Sequence, residues 1–177
     1  EAGVAAIQMH GVGNTIRKNK IYNLSTHAIG HSGNNNIIEY NNIHDVILEC
    51  DDCGAIYTWA NISNRGNICR YNLFRNIQNK LRAVPQFPSE NANACRPWTV
   101  SVDPNGDSNA MKDGWFGHCA IYFDNFATGM TITGNIFYRC GNKNGKASMG
   151  AIFTNYGIDV IASNNIFVDC PLAVGSN

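Results

Sequence analysis

The sequence predicts an all-β protein folded as a right-handed parallel β-helix. Three observations carry this. Composition is the first: 26 of the 177 residues are Asn, beside 17 Gly and 19 Ile. Asn and Gly supply left-handed and turn backbone, Ile favours strands, and Asn disfavours helix interiors. The second is an internal repeat in which an Ala-Ile pair alternates with an Asn-x-(Ile/Phe) motif five times. The third is the even spacing of Ala to Asn within a unit, which runs 13, 13, 17, 15 and 14 residues. Repeats of this length belong to solenoids, whose equivalent residues touch the neighbouring coil.

The first half of each unit is an Ala-Ile strand: Ala6-Ile7, Ala28-Ile29, Ala55-Ile56, Ala120-Ile121 and Ala151-Ile152. The second half centres on an anchor Asn, at Asn19, Asn41, Asn72, Asn135 and Asn165. Three residues before it stand Ile16, Ile38, Cys69, Ile132 and Ala162; two after it stand Ile21, Ile43, Phe74, Phe137 and Phe167. Five after it stand Leu24, Val46, Ile77, Cys140 and Cys170. These columns are apolar in every unit, so they predict inward positions on short parallel strands about 4.8 Å apart. The anchor Asn is expected at a tight bend, its amide bonding along the stack.

Residues 79–117 carry no coil pattern and four of the five prolines, and read as a long insertion between coils three and four. The whole chain, 1–177, reads as one β-helix domain of five to six coils. It starts inside a coil and stops where a sixth would begin, which predicts further coils of the same chain or end-to-end self-association.

Charge narrows the function classes. Only 15% of residues are charged, against about 25% in an ordinary soluble domain, and the formal net charge is zero. That argues against a nucleic-acid partner held by bulk electrostatics. No run of 18 apolar residues exists, so no membrane-spanning helix is expected. Seven cysteines are too few for a disulfide scaffold. Cys69, Cys140 and Cys170 fall in inward columns, where Cys acts as a small apolar residue; a rung-to-rung bond between Cys140 and Cys170 is possible on spacing. Cys95 could tie the insertion to Cys119 or Cys53. Cys50-Asp51-Asp52-Cys53 lacks the second ligand pair that zinc needs, and no metal or cofactor is expected. Asn23-Leu24-Ser25 and Asn61-Ile62-Ser63 are glycosylation sequons.

Strand alternation locates the chemistry. With the Ile of each Ala-Ile pair inward, the next residue points out, giving Gln8, Gly30, Tyr57, Tyr122 and Phe153. Three after the Ile stand His10, Ser32, Trp59, Asp124 and Asn155. One outer face thus carries an aromatic stripe beside polar groups, which suits a sugar chain: Tyr57, Trp59, Tyr122 and Phe153 as the platform, with His10, His118 and Asn155 as polar contacts. The competing expectation is that the insertion covers these rings. Asp124 is the leading catalytic candidate. A glycosidase pairs two carboxylates about 5–9 Å apart, and Asp51, Asp52 or Glu49 could be the second. His10 and His118 are alternative proton carriers, while His31 projects inward as a core histidine. A polysaccharide lyase needs a cation for the uronate carboxylate, and this face has no outward Lys or Arg column; only Arg65, Arg82 and Arg96 could reach it from loops.

The run Glu49-Cys50-Asp51-Asp52-Cys53-Gly54-Ala55-Ile56-Tyr57-Thr58, followed by Arg65–Phe74, resembles secreted pectin-lyase-like β-helix proteins. So do Ala120–Asp124 with Thr128-Gly129 and Gly134–Phe137, and Asn164–Cys170. Within that superfamily, Ala120–Phe137 is similar to the segment of β-xylosidase-type glycosidases that carries the nucleophilic Asp. The resemblance implies a secreted, carbohydrate-active protein with that role on Asp124. It places an acid/base Glu one coil later, near Thr154 or Asn155, where this chain has no carboxylate. Either Asp51 or Asp52 takes the second role, or the fold is kept without catalysis, as a glycan-binding or structural protein.

Overall fold

The structure is a computed structural model. It describes residues 4–48, 50, 52–78, 81–83, 100–102, 118–141 and 149–176. Among these there is no helix, and the strands form three parallel sheets wound as a β-helix.

The first sheet takes one strand from each coil: β1 (Ile7–Met9), β4 (Ile29–His31), β7 (Cys53–Trp59), β12 (His118–Asp124), β15 (Ile152–Thr154) and β18 (Val174–Ser176). The second sheet is β2 (Thr15–Arg17), β5 (Ile37–Glu39), β8 (Asn67–Arg70), β13 (Thr128–Thr133) and β16 (Ile158–Ser163). The third is β3 (Lys20–Tyr22), β6 (Asn42–His44), β9 (Leu73–Ile77), β14 (Ile136–Cys140) and β17 (Ile166–Val168). Within the insertion, β10 (Leu81–Ala83) and β11 (Val100–Val102) pair antiparallel as a separate ladder.

The register matches the repeat residue for residue. Ile7 pairs with Ile29, Ile29 with Ile56, Ile56 with Ile121, Ile121 with Ile152 and Ile152 with Val174. In the third sheet Ile21, Ile43, Phe74, Phe137 and Phe167 form one column. The rings of Phe74, Phe137 and Phe167 stack nearly parallel, with centroids 5.0 and 4.9 Å apart. Ile56, Ile121, Ile152, Cys69, Ile132, Phe74 and Phe137 are fully buried, and the core runs as a continuous rod along the axis.

The anchor asparagines hold the corner between the second and third sheets. Asn41 accepts from the backbone N–H and the amide Nδ2 of Asn19 through its Oδ1, both at 3.0 Å. Asn72 does the same for Asn41, Asn135 for Asn72 and Asn165 for Asn135, at 2.9 to 3.1 Å. Each Nδ2 from Asn41 onward also donates to a carbonyl of the preceding coil. The bend itself falls one residue earlier than expected. Lys18, Tyr40, Tyr71, Gly134 and Asn164 take the left-handed conformation, with φ between 51 and 65°, and the anchor Asn turns inward. A left-handed turn in a non-glycine residue costs about 1–2 kcal/mol, and the ladder of buried amide bonds offsets it. A second ladder, Asn14 to Asn36 to Asn67, marks the entry to the second sheet.

Two consequences are testable. Asn72→Ala strips hydrogen bonds to the coils on both sides and leaves the buried N–H of Asn41 without an acceptor. Chemical denaturation should show a loss of about 3 kcal/mol, and less for Asn19→Ala at the exposed end of the ladder. His31 is buried, and burial pushes its imidazole down to about 4 from 6.5, against an upward pull from Asn67. The unfolded chain therefore binds the extra proton first as pH falls, and stability present above pH 6.5 drops toward pH 4. A melting-temperature series over that range should show the slope, flattened in His31→Gln.

Candidate functional site

The first sheet is lengthened at coils three and four. β7 and β12 each run seven residues where their neighbours run three, and they pair from His118–Cys53 to Asp124–Trp59. Ile56, Ile121 and Phe123 point into the rod, so alternation turns Tyr57, Trp59, Tyr122 and Asp124 outward. Gly30, Tyr57, Tyr122 and Phe153 follow one another across the sheet as one wall. Gln8 lies over Gly30, whose missing Cβ leaves room for its amide.

Asp124 closes one end of this wall. Its Oδ2 accepts the Tyr57 hydroxyl at 2.8 Å and its Oδ1 accepts Asn155 Nδ2, also at 2.8 Å. The carboxylate is 7% exposed. Burial first, then the hydrogen bond to Asp124, pushes the Tyr57 phenol well above the ordinary tyrosine range. His27 stacks on the Tyr57 ring at 4.5 Å and fixes its plane. A carboxylate has about four lone-pair positions; the Tyr57 hydroxyl and the Asn155 amide fill two of them.

Asp52 stands at the other end. It lies inside the loop closed by a Cys50–Cys53 disulfide, with φ at 55°. Its Oδ1 accepts the Tyr122 hydroxyl at 3.0 Å, and burial and this carboxylate push the Tyr122 phenol up. His118 Nε2 meets the Cys50 carbonyl at 2.5 Å and anchors the same loop. The two tyrosine rings pack edge to face, centroids 5.3 Å apart. Asp52 precedes the first residue of β7 and Asp124 sits opposite its last. The two carboxylates flank this tyrosine pair, and each acts electrostatically on both phenols.

The expected residues divide into three groups. Asp124, Tyr57, Asn155, Tyr122, Phe153, Asp52 and His118 come together around the wall. Within it Tyr122 and Phe153 are buried, at 2 and 3% exposure, and form with Cys119 and Met149 a small apolar cluster outside the main core. Trp59 stands at the rim, 60% exposed. His10 lies apart on the first coil, its Nδ1 bonded to Ser32 Oγ at 2.5 Å. Asp51, Glu49, Arg96 and Cys95 lie outside the described residues, as does the side chain of Arg82. Arg65 folds back onto its own turn, donating to the carbonyls of Ile62 and Asn64. The disulfide takes Cys53 away from any pairing with Cys95, while Cys119, Cys140 and Cys170 are free thiols. No group of three metal-ligating side chains occurs among the described residues.

Two rings at this rim were not read from the sequence as ligand contacts. Phe126 and Tyr156 are more than half exposed and stack at 5.5 Å. Both hold left-handed backbone at the corner that leaves the first sheet, at φ 66 and 56°. Their signal was position: each follows the Asp124 and Asn155 column by one or two residues.

The chain matches no protein-family profile, no curated protein and no solved structure.

The site's integrity turns on the Tyr57 hydroxyl. Tyr57→Phe keeps the ring stack on His27 and removes one donor from a nearly buried carboxylate. Urea denaturation should show destabilisation of about 1–3 kcal/mol; an unchanged midpoint would mean that solvent replaces the phenol.

Proposed function

We propose that this protein is a carbohydrate-active β-helix that works outside the cell and binds a polysaccharide at the Asp124 rim of the first sheet. The observation that supports this most is the composition of that rim. An oriented carboxylate lies beside exposed Trp59, Phe126 and Tyr156. Flat ring faces stack on the C–H faces of sugars, and the carboxylate accepts a hydroxyl. The glycan proposed for this rim is a neutral one, held by ring faces and hydroxyl contacts. The Cys50–Cys53 disulfide supports an oxidising compartment.

A second reading, glycoside hydrolysis, keeps Asp124 as nucleophile or base and Asp52 as partner. It is favoured by the rigid aim of Asp124, whose two oxygens are each held by a separate strand or corner. It needs the two carboxylates, which flank the Tyr57–Tyr122 pair, to stand about 5–9 Å apart. Binding without turnover needs only the Asp124 rim and its exposed rings, and it is the half of the proposal put first.

The test is a panel of neutral polysaccharides, xylan among them, with binding followed by affinity electrophoresis and cleavage by release of reducing ends. Binding that weakens about tenfold in Trp59→Ala, with no reducing ends released, is the expected result. Release that disappears in Asp124→Ala while binding persists would establish hydrolysis instead. No binding to any member of the panel would end the proposal.

A further inference from the structure

Among the described residues Cys69, Cys119, Cys140 and Cys170 are thiols. Two of them are sealed off singly. Cys69 pairs in register with Ile38 and Ile132 and is fully buried, which pushes its thiol up to about 12. Cys119 lies opposite Gly54, equally buried, with its Sγ 3.7 Å from the Cys53 carbonyl. Cys140 and Cys170 differ from both, because one stands directly above the other.

The corner that leaves the third sheet is built alike in every coil. Asn23, Asp45, Asn76, Arg139 and Asp169 all take left-handed backbone there, with φ between 49 and 54°. The residue after each packs on the rod: Leu24, Val46, Ile77, Cys140 and Cys170. At the last two coils Arg139 Nε donates to Asp169 Oδ2 at 2.9 Å, across the same 30-residue offset that pairs Tyr138 with Val168. The Cys140 N–H donates to Cys170 Sγ at 3.4 Å, and the two thiols hydrogen-bond each other. Rungs about 4.8 Å apart fall inside the Cα separation of about 4.4–6.8 Å that a disulfide accepts. The two sulfurs have different surroundings. Cys140 is fully buried, and burial pushes its thiol well up. Cys170 is half-buried; its hydrogen bond with Cys140 outweighs burial and holds its thiol down at about 7. One sulfur is thus ready to react as a thiolate, and the other waits behind it.

We propose that Cys140 and Cys170 form a modification site, a dithiol that a low-molecular-weight disulfide such as oxidised glutathione converts into a covalent rung between coils four and five. The Cys170 thiolate attacks one sulfur of the glutathione disulfide, giving a mixed disulfide and releasing one glutathione thiolate. The Cys140 sulfur then attacks Cys170 Sγ and the second glutathione leaves. The thiol protons of the two cysteines end on the two glutathiones. The cysteines lose two electrons in all, and the glutathione disulfide gains them. The Arg139–Asp169 pair positions the two sulfurs by holding their bends in register. The new bond staples β17, which is paired on one side only among the described strands, to β14. The Cys50–Cys53 disulfide suits the same oxidising surroundings. No glycan enters this chemistry, so the inference holds whether or not the Asp124 rim binds one.

The test takes the full chain from dithiothreitol into oxidised glutathione, then alkylates the remaining thiols and maps the peptides by mass spectrometry. The expected map joins Cys140 to Cys170 and Cys50 to Cys53, and leaves Cys69 and Cys119 as thiols that alkylate only after denaturation. In Cys140→Ala the reaction should stop halfway, with Cys170 carrying one glutathione that the parent does not retain. In Cys170→Ala the buried Cys140 should stay unmodified. The melting temperature gained on oxidation should be about 5–15 °C larger in the parent than in Cys140→Ala, a comparison in which Cys50–Cys53 cancels. Alkylation of both cysteines in the oxidised parent, a link from either one to a different cysteine, or a Cys140→Ala chain without the glutathione adduct would overturn the assignment. The parent's map decides on its own should either variant fold poorly.

Discussion

One constraint underlies the molecule: each coil must lie on the next with identical positions in contact. The asparagine ladder enforces it. An amide in this corner bonds the backbone of one coil and the side chain of another, so a slip of one residue breaks a donor and an acceptor in every rung. The apolar columns oppose the same slip, because shifting a strand by one residue turns its inward Ile or Phe to the outer face. The ladder makes register a matter of buried hydrogen bonds, each of which is expensive to leave unmade.

The outer surface inherits that order. Because Ile56, Ile121 and Ile152 are stacked inside, Tyr57, Tyr122 and Phe153 are stacked outside, and the adjacent column brings Asn155 to Asp124 across coils. The solenoid therefore assembles polar clusters from residues far apart in sequence. Tyr57 and Asp124 are 67 positions apart, and Tyr122 and Asp52 are 70. Both contacts cross the insertion, which the regular stacking of β7 on β12 brackets without disturbing the rod.

The fold was legible because repetition is a one-dimensional signal. The Ala-Ile and Asn columns specify pairing directly, and Phe74, Phe137 and Phe167 stand where the spacing puts them. The position of the bend was less legible. Tyr40 and Tyr71 adopt a conformation that their own chemistry disfavours, and only the ladder beside them makes it acceptable. At the site, alternation correctly turned Tyr57 and Asp124 to one face. It could not tell which rings on that face are covered. Tyr122 and Phe153 are buried by contacts such as Met149 that follow no repeat. Nor could it pair Cys50 with Cys53, since a short loop between two thiols has no periodicity to read.

The insertion between coils three and four also shapes how the chain assembles. Elsewhere each rung joins residues about one coil apart, such as Asn19 to Asn41 at 22 positions, so the ends can zip up locally. The rung from Asn72 to Asn135 spans 63. Closing that longer excursion adds entropy equivalent to only about 1 kcal/mol. The insertion also sets coils one to three and coils four onward on opposite sides of one long excursion. The pair of long strands carrying Tyr57 and Asp124 joins the two sides, so both tyrosine–carboxylate contacts of the candidate site are made by chain from both sides of the excursion.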